Sequence, residues 1–429
     1  MKRHYYSELT EPDIQKLVQR PRIDFADISK QVLPILDRVQ NEGGSAVLDY
    51  TEQFDGVRPD ELILKPQEQH VELDHHIKEA IDQAYENIYR FHVAQLPAPV
   101  DIETMWGVRC YQVHRPIENV GLYVPGGTAV LPSTALMLGI PAQIAECENI
   151  VLATPPDPGG YIPPEIIYIA QKTGVSHILK AGGAQAIAAM AYGVESLPAA
   201  QKLFGPGNQY VTAAKMALQN SSTPIAIDMP AGPSEVLVVA DSTADPEFVA
   251  VDLLSQAEHG ADSQVVLAAL SDVDLEAIEQ EIQSQLQELP RKEFASKAME
   301  NSFTVVVDDL QSAFDFSNQY APEHLILNIK DAEYYTTKIQ NAGSVFLGAY
   351  SPESVGDYAS GTNHTLPTYG YAKMYGGVSL ASFMKSVTFQ NLSPEGLRKI
   401  APTVETLAQT EQLEAHKQAV SRRLRKLDS

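Results

Sequence analysis

Cysteine is nearly absent from this chain. Its 429 residues include two, Cys110 and Cys147, too few for a disulfide framework or a cysteine-based zinc site, so a reducing, cytoplasmic setting is expected. Positive charge is also scarce: 31 Lys and Arg against 55 Asp and Glu leave a formal net charge of −24. Such a surface repels phosphate backbones and anionic lipid, which argues against nucleic acid or a membrane as partner. A secretory leader is not indicated, because the basic start Met1-Lys-Arg-His-Tyr-Tyr has no apolar core behind it. The longest uncharged run, 119–145, has the length of a membrane span, yet Pro125, Gly126, Gly127, Pro132, Gly139 and Pro141 punctuate it. Ser133, Thr134 and Gln143 add polar groups that lipid would penalise. The run reads as a glycine-rich turn followed by a short buried helix.

What is present is a folded composition, 44% hydrophobic and 20% charged, in a chain long enough for about three units at ~150 residues each. From about residue 149 onward, short β-branched runs alternate with helix-length amphipathic segments, the pattern of parallel-sheet α/β domains. The runs 150–153, 177–180, 236–240, 265–270, 304–307, 325–327 and 345–347 predict strands. Helices are predicted over 246–259, 274–289, 310–320 and 331–340. The first hundred residues hold polar helical segments, 28–54 and 71–95, that precede the sheet rather than join its rhythm. The stretch 393–427 is helical with a basic tail, whose cations the end of a helix favours.

Four glycine-bearing turns fall between Gly121 and Glu235: Gly121-Leu-Tyr-Val-Pro-Gly-Gly, Gly182-Gly-Ala-Gln, Phe204-Gly-Pro-Gly-Asn-Gln and Ala231-Gly-Pro-Ser-Glu. The second joins a predicted strand to a helix and would offer bare N–H groups to a phosphate. Its spacing is not that of the dinucleotide fingerprint, and a tight turn with close helix packing is the alternative. Four such turns beside buried runs suit a crevice at strand ends.

Metal ligands are sought among the eleven histidines. The cluster His70-Val-Glu-Leu-Asp-His75-His76 opens a polar helix and reads as a solvated face. Gln256 and His259 are spaced by three on a predicted helix, about 60° apart, and could converge on one ion. Asp357 and His364 share a loop-like stretch able to aim both inward. An imidazole, an amide oxygen and a carboxylate suit a borderline divalent ion such as Zn²⁺, against ordinary capping and hydrogen bonding. Pro322-Glu-His-Leu sets a carboxylate beside an imidazole just before a strand: a base for an alcohol proton next to a group able to activate water. A histidine favoured by a helix C-terminus is the plainer reading.

Together these segments resemble the histidinol dehydrogenase family. The resemblance rests on the first three turns, on Asp228-Met-Pro-Ala-Gly-Pro-Ser-Glu-Val, Leu254-Ser-Gln-Ala-Glu-His-Gly, Gln319-Tyr-Ala-Pro-Glu-His-Leu, Gly343-Ser-Val-Phe-Leu-Gly and Gly356-Asp-Tyr-Ala-Ser-Gly-Thr-Asn-His, in family order, and extends to Glu411–His416. It implies an intertwined homodimer of α/β subunits: two incomplete Rossmann-like parallel-sheet domains with small N-terminal and C-terminal helical pieces. The expected boundaries are 1–20 for the N-terminal segment, 21–122 with 235–378 for the domain carrying metal and catalytic residues, 123–234 for the domain contacting NAD, and 379–429 for the C-terminal piece reaching the partner subunit. The implied reaction is the four-electron oxidation of L-histidinol to L-histidine by two NAD⁺ through an enzyme-held aldehyde, the last steps of histidine biosynthesis. Gln256, His259, Asp357 and His416 match the ligands of one Zn²⁺ per subunit, His416 being supplied across the dimer. Glu323 and His324 match the acid/base pair. Ser234, His364 and Glu411 match substrate contacts, together with the metal ligands and the catalytic pair, while Tyr123, Gln185 and Asn208 match NAD contacts. A metal-dependent hydrolase using the same His, Asp and Glu cluster is the alternative, though it leaves the glycine-rich crevice without a purpose. On one unbroken helix Glu411 and His416 would lie about 140° apart, so a break between them is expected if both face one pocket.

Overall fold

A computed structural model describes residues 1–20, 25–126, 131–230 and 232–429. Gly127 and Ala231, in two of the glycine-bearing turns, fall outside the described residues. The chain divides into two compact units, Met1–Ala94 with Ile117–Phe383, and Gln95–Pro116 with Met384–Ser429.

The larger unit holds two six-stranded sheets. All seven predicted strands are present in it, because a parallel strand covered on both faces is a continuous apolar run: every residue of Glu235–Ala240 and of Phe303–Val307 is buried. One sheet runs Ile63–Leu64, His177–Lys180, Asn149–Thr154, Asn119–Tyr123, Lys202–Phe204, Ala226–Ile227 from edge to edge. The other runs Lys2–Tyr5, Phe303–Val307, Gln264–Leu270, Glu235–Ala240, His324–Asn328, Ser344–Leu347. With the edge strand from the N-terminal region set aside, both have the parallel order 3-2-1-4-5, a Rossmann arrangement lacking its sixth strand. The topology thus repeats where the sequence does not.

The first hundred residues depart from expectation. Lys2–Tyr5 extends the 235–347 sheet in parallel beside Phe303–Val307, and Ile63–Leu64 pairs antiparallel with His177–Lys180 in the 119–227 sheet. The expected helix 28–54 is two helices, Phe25–Glu42 and Gly44–Asp55, parted where Gly43 takes φ +63°. Ile28, Val32, Leu36 and Val39 pack into one core with Ala188 and Val211. These helices therefore cover the 119–227 sheet, and the expected grouping of 21–122 with 235–378 is corrected on that point. The segment 331–340 forms a 3₁₀ helix, Ala332–Lys338, rather than an α-helix, entered through Asp331 at φ +53°. Helix Pro132–Ile144, by contrast, is the expected buried one.

The smaller unit is not purely helical. Val100–Met105, Val108–Pro116 and Met384–Leu392 form an antiparallel three-stranded sheet, joined by helices Pro394–Thr410 and Glu414–Leu427. The expected break between these helices is present. Gln412 takes φ +59°, while Leu413 N–H donates to Ala408 O at 2.8 Å and Gln412 N–H to Gln409 O at 3.1 Å, the two bonds of a Schellman motif. Glu411 and His416 flank it and are both exposed.

Candidate active site

Two cavities among the described residues of the larger unit concern the expected site. The first, about 320 Å³, is lined by Ser234, Gln256, His259, Glu323, His324, Asp357 and His364, with Thr134 and Asn208 among the remaining walls. The second, about 450 Å³, is lined by Tyr123, Gln185 and Asn208 with Asp55, Gly182 and Gly183. Asn208 borders both. The fold therefore gathers ten of the twelve expected site residues around two adjoining spaces, while Glu411 and His416 belong to the smaller unit.

The 119–227 sheet places its groups at the carboxyl ends of its strands. Tyr123 closes strand Asn119–Tyr123 and Asn208 follows the neighbouring strand Lys202–Phe204, at the point where the strand order reverses. Asn208 caps helix Gln209–Gln219, accepting from the N–H groups of Tyr210 and Val211 at 3.0 and 3.2 Å, and the turn before it is clamped from below. There Lys215 pairs with Asp228 and donates to Gly205 O at 3.0 Å, and Gly205 N–H donates to Asp228 at 2.8 Å.

The Gly182-Gly183 turn corrects an expectation. Its N–H groups are not bare: Gly183 N–H donates to Tyr123 Oη at 3.0 Å, and Gly182 N–H serves the Asp55 carboxylate. Burial pushes the Tyr123 phenol up to about 12, so it remains a neutral hydroxyl. Gln185 is 1% exposed, and among the described residues its Oε1 has no hydrogen-bond partner. Gly183 adopts φ +61°, and a β-carbon there would come within 2.8 Å of that oxygen. A glycine turn, an unspent amide and a neutral phenol fit a dinucleotide held by polar contacts more than by a phosphate-binding helix end.

The 235–347 sheet places its groups at the opposite, amino ends. Ser234 precedes Glu235–Ala240, while Glu323 and His324 stand where the adjacent strand His324–Asn328 begins. For Glu323 and His324 this is the position just before a strand that the sequence suggested, and the physical consequence is charge. Helices enter an amino end with their C-termini, so the negative end of Pro246–Ala257 faces the site and favours a cation. Gln256 lies in the last turn of that helix. His259 lies just past it, in a tightened turn where its N–H reaches Gln256 O at 3.3 Å, so the pair is not on continuous helix as expected. Asp357 is likewise on a short helix, Glu353–Tyr358, rather than in a loop.

His324 is 3% exposed and sits among acidic groups. Its Nε2 is 3.3 Å from Asp357 Oδ1 and its Nδ1 is 3.7 Å from Glu323 Oε2. Nδ1 also faces Glu235 O at 3.3 Å, and Glu235 N–H donates to Glu323 Oε2 at 2.9 Å. One residue's backbone thus holds both members of the pair. Its side chain is fixed in turn by a buried ion pair: Arg20 Nε and Nη2 reach Glu235 at 3.0 and 2.5 Å, while the guanidinium lies 3.6 Å over the Tyr320 ring. Burial pushes Glu323 up to about 8, partly offset by His324. Burial also disfavours a charged His324, but Glu323 and Asp357 outweigh it and raise the imidazole to about 10. Each partner's charge depends on the other's, so the cluster holds its protons jointly, with His324 the favoured seat.

His364 is oriented by Asp357 O at 2.8 Å from Nδ1 and by Thr134 Oγ1 at 3.2 Å from Nε2. Gln256, His259 and Asp357 offer an amide oxygen, an imidazole and a carboxylate to one cavity, a donor set that fits a borderline divalent cation. Among the described residues, His75, His76 and Glu79 are the group of His, Cys, Asp or Glu whose ligand atoms lie within 4.8 Å of one another, but on an exposed helix start, as the solvated-face reading has it. Sequence reading missed Arg20, Glu235, Glu353, Asp55 and Thr134. Of these only Glu353 left a local signal, its spacing of four from Asp357.

The sequence model of the histidinol dehydrogenase family matches residues 18–424. The chain belongs to that family. It is 60% identical to "Histidinol dehydrogenase, chloroplastic" of Arabidopsis thaliana over all of this chain and 92% of that one. It is 52% identical to the "Histidine biosynthesis trifunctional protein" of Saccharomyces cerevisiae over 96% of this chain and 53% of that longer protein. The crystal structure of histidinol dehydrogenase from Elizabethkingia anophelis superposes with a TM-score of 0.94 at 50% identity, covering 100% and 99% of the two chains. Membership makes the chain an NAD-dependent oxidoreductase of histidine biosynthesis and sets the hydrolase alternative aside. Among the described residues, no helix is long and apolar enough to cross a membrane.

Proposed function

We propose that the first cavity oxidises L-histidinol to L-histidine in two successive steps, with Glu323 and His324 as the acid/base pair and NAD⁺ drawn from the second cavity. The observation that carries this reading is Asn208 bordering both cavities, which supports a carbinol carbon and a nicotinamide meeting at one seam. Gln256, His259, Asp357 and His416 of the partner subunit would hold one Zn²⁺; Tyr123, Gln185 and Asn208 would hold NAD. When bound, the dinucleotide supplies the hydride acceptor and the ion an anchor for the substrate's imidazole and amine nitrogens.

The chain's own groups then handle protons. His324 keeps Nδ1 toward Glu235 O, which leaves Nε2 to take the hydroxyl proton. Asp357 would also serve as a metal ligand, and with its charge shared with the ion it would do less to hold a proton on that imidazole. Glu323 takes a proton from the water that adds to the aldehyde. The hydrate is again an alcohol, so His324, after passing the first proton to solvent, serves the second oxidation in the same place. Ser234, His364 and the partner subunit's Glu411 would orient the substrate. The enzyme would act as a cytoplasmic homodimer with shared sites and no nucleic-acid or membrane partner.

Purified protein incubated with limiting L-histidinol and excess NAD⁺ should yield two NADH per histidinol by absorbance. One NADH with free aldehyde, or none, would overturn the reading. Mixing His416→Ala with Glu323→Gln protomers should restore activity if sites are shared, and an inactive mixture of confirmed hybrids contradicts sharing.

A further inference from the structure

Glu353 is 1% exposed and opens helix Glu353–Tyr358, four residues before Asp357. Its carboxyl group is grasped by two consecutive residues of the neighbouring helix. Ser255 Oγ donates to Oε1 at 3.0 Å, and in the orientation that satisfies both groups the Gln256 amide nitrogen donates to Oε1 at 2.7 Å and to Oε2 at 3.0 Å. A primary amide has nearly the same shape with its oxygen and nitrogen exchanged, and only its surroundings decide which end faces a ligand. As a carboxylate, Glu353 accepts the nitrogen on both oxygens and so decides it here. The amide oxygen is thereby turned away from Glu353, on a side chain that lines the cavity.

We infer that Glu353 is a positioning residue that locks the Gln256 amide with its oxygen toward the cavity, so that Gln256 meets a cation as an acceptor rather than with its NH₂ group. The inference rests on the reading of Gln256 as a metal ligand. It gives one short helix two duties, since Asp357 at one end offers a donor atom and Glu353 at the other orients a donor on a second helix. Partners of this kind are worth about 10–100-fold in metal affinity.

The test is Zn²⁺ affinity of the metal-stripped full chain, measured by competition with a chromophoric chelator without substrate or NAD. Glu353→Ala should weaken binding about 10–100-fold. Glu353→Gln, which keeps shape and one acceptor oxygen, should fall between it and the parent, and serves if the alanine variant fails to fold. Gln256→Ala should weaken binding as well, and combining it with the Glu353 change should add little, because the orienting group then has nothing to orient. Losses that simply multiply in the double variant would overturn the inference, as would a Glu353 variant that binds like the parent while Gln256→Ala does not. If Gln256→Ala itself binds like the parent, the reading of Gln256 as a ligand falls and the inference with it.

Discussion

In the 119–227 sheet, Tyr123 and Asn208 stand at the carboxyl ends of adjacent strands, whereas in the 235–347 sheet Ser234, Glu323 and His324 stand at the amino ends of the equivalent pair. Strand order is the same in both, so topology alone does not choose the functional end. Helix polarity separates them. Carboxyl ends are where helices such as Gly183–Tyr192 and Gln209–Gln219 begin, amino ends where Pro246–Ala257 and Leu310–Tyr320 finish. The first environment suits an anionic dinucleotide and the second a metal ion and a cationic amino alcohol. The match is tempered in the first case, since Tyr123 and Asp55 already occupy the Gly182-Gly183 N–H groups, and in the second Arg20 covers the end of Leu310–Tyr320 by donating to Tyr320 O at 2.7 Å.

Substitutions on the two sheets should therefore fail differently. The largest effect is expected for His324→Ala, which should lower kcat for both oxidations by about 10²–10⁴-fold with the KM for NAD⁺ unchanged; a normal rate of either oxidation in stopped-flow NADH traces would contradict its role. Glu323→Gln should slow aldehyde oxidation more than alcohol oxidation when the two half-reactions are followed separately, and equal losses would undo the division of labour. On the other sheet, Asn208→Ala should raise the KM for NAD⁺ roughly tenfold, the weight of one good polar contact, and lower stability by about 1 kcal/mol through the lost cap. Zn²⁺ affinity should not move, and a drop in it would blur the distinction between the ends.

The smallest effect concerns Asp252, on the helix that carries Gln256, whose carboxyl group burial pushes up to about 7. The folded chain then binds a proton that the unfolded chain has released, so stability falls as pH rises from the ordinary carboxylate range to about 7 and stays reduced above it. Asp252→Asn should melt roughly 2–5 °C higher than the parent at pH 8, with the gain gone near pH 4. A gain independent of pH would point to packing instead.

Much of the larger unit was legible in the sequence because fully buried strands announce themselves as apolar runs. Asn119–Tyr123 and Lys202–Phe204 are mostly buried but escaped notice because they run into glycine-bearing turns. Others lack the signature: Val100–Met105 is exposed at every position, Ile63–Leu64 is two residues long, and Lys2–Tyr5 is polar. Pairing with distant segments, not local pattern, makes them strands. The proposed acid/base pair, Glu323 and His324, could be singled out because two chemically apt residues are neighbours in the chain. Arg20 lies 215 positions from Glu235, and its grip on the backbone that holds the pair exists only after folding. The end of the strand was legible too, since Pro322-Glu-His-Leu reads as lying just before a strand and Glu323 and His324 stand where one begins.

The most direct test is a crystal of the full chain grown with Zn²⁺ and NAD⁺, with diffraction recorded on both sides of the zinc absorption edge. An anomalous peak within bonding distance of Gln256, His259 and Asp357, with dinucleotide density against Tyr123, Gln185 and Asn208, is the predicted result. A peak elsewhere, or a dinucleotide seated at the amino ends of the 235–347 sheet, would contradict the assignment of cation and dinucleotide to opposite strand ends.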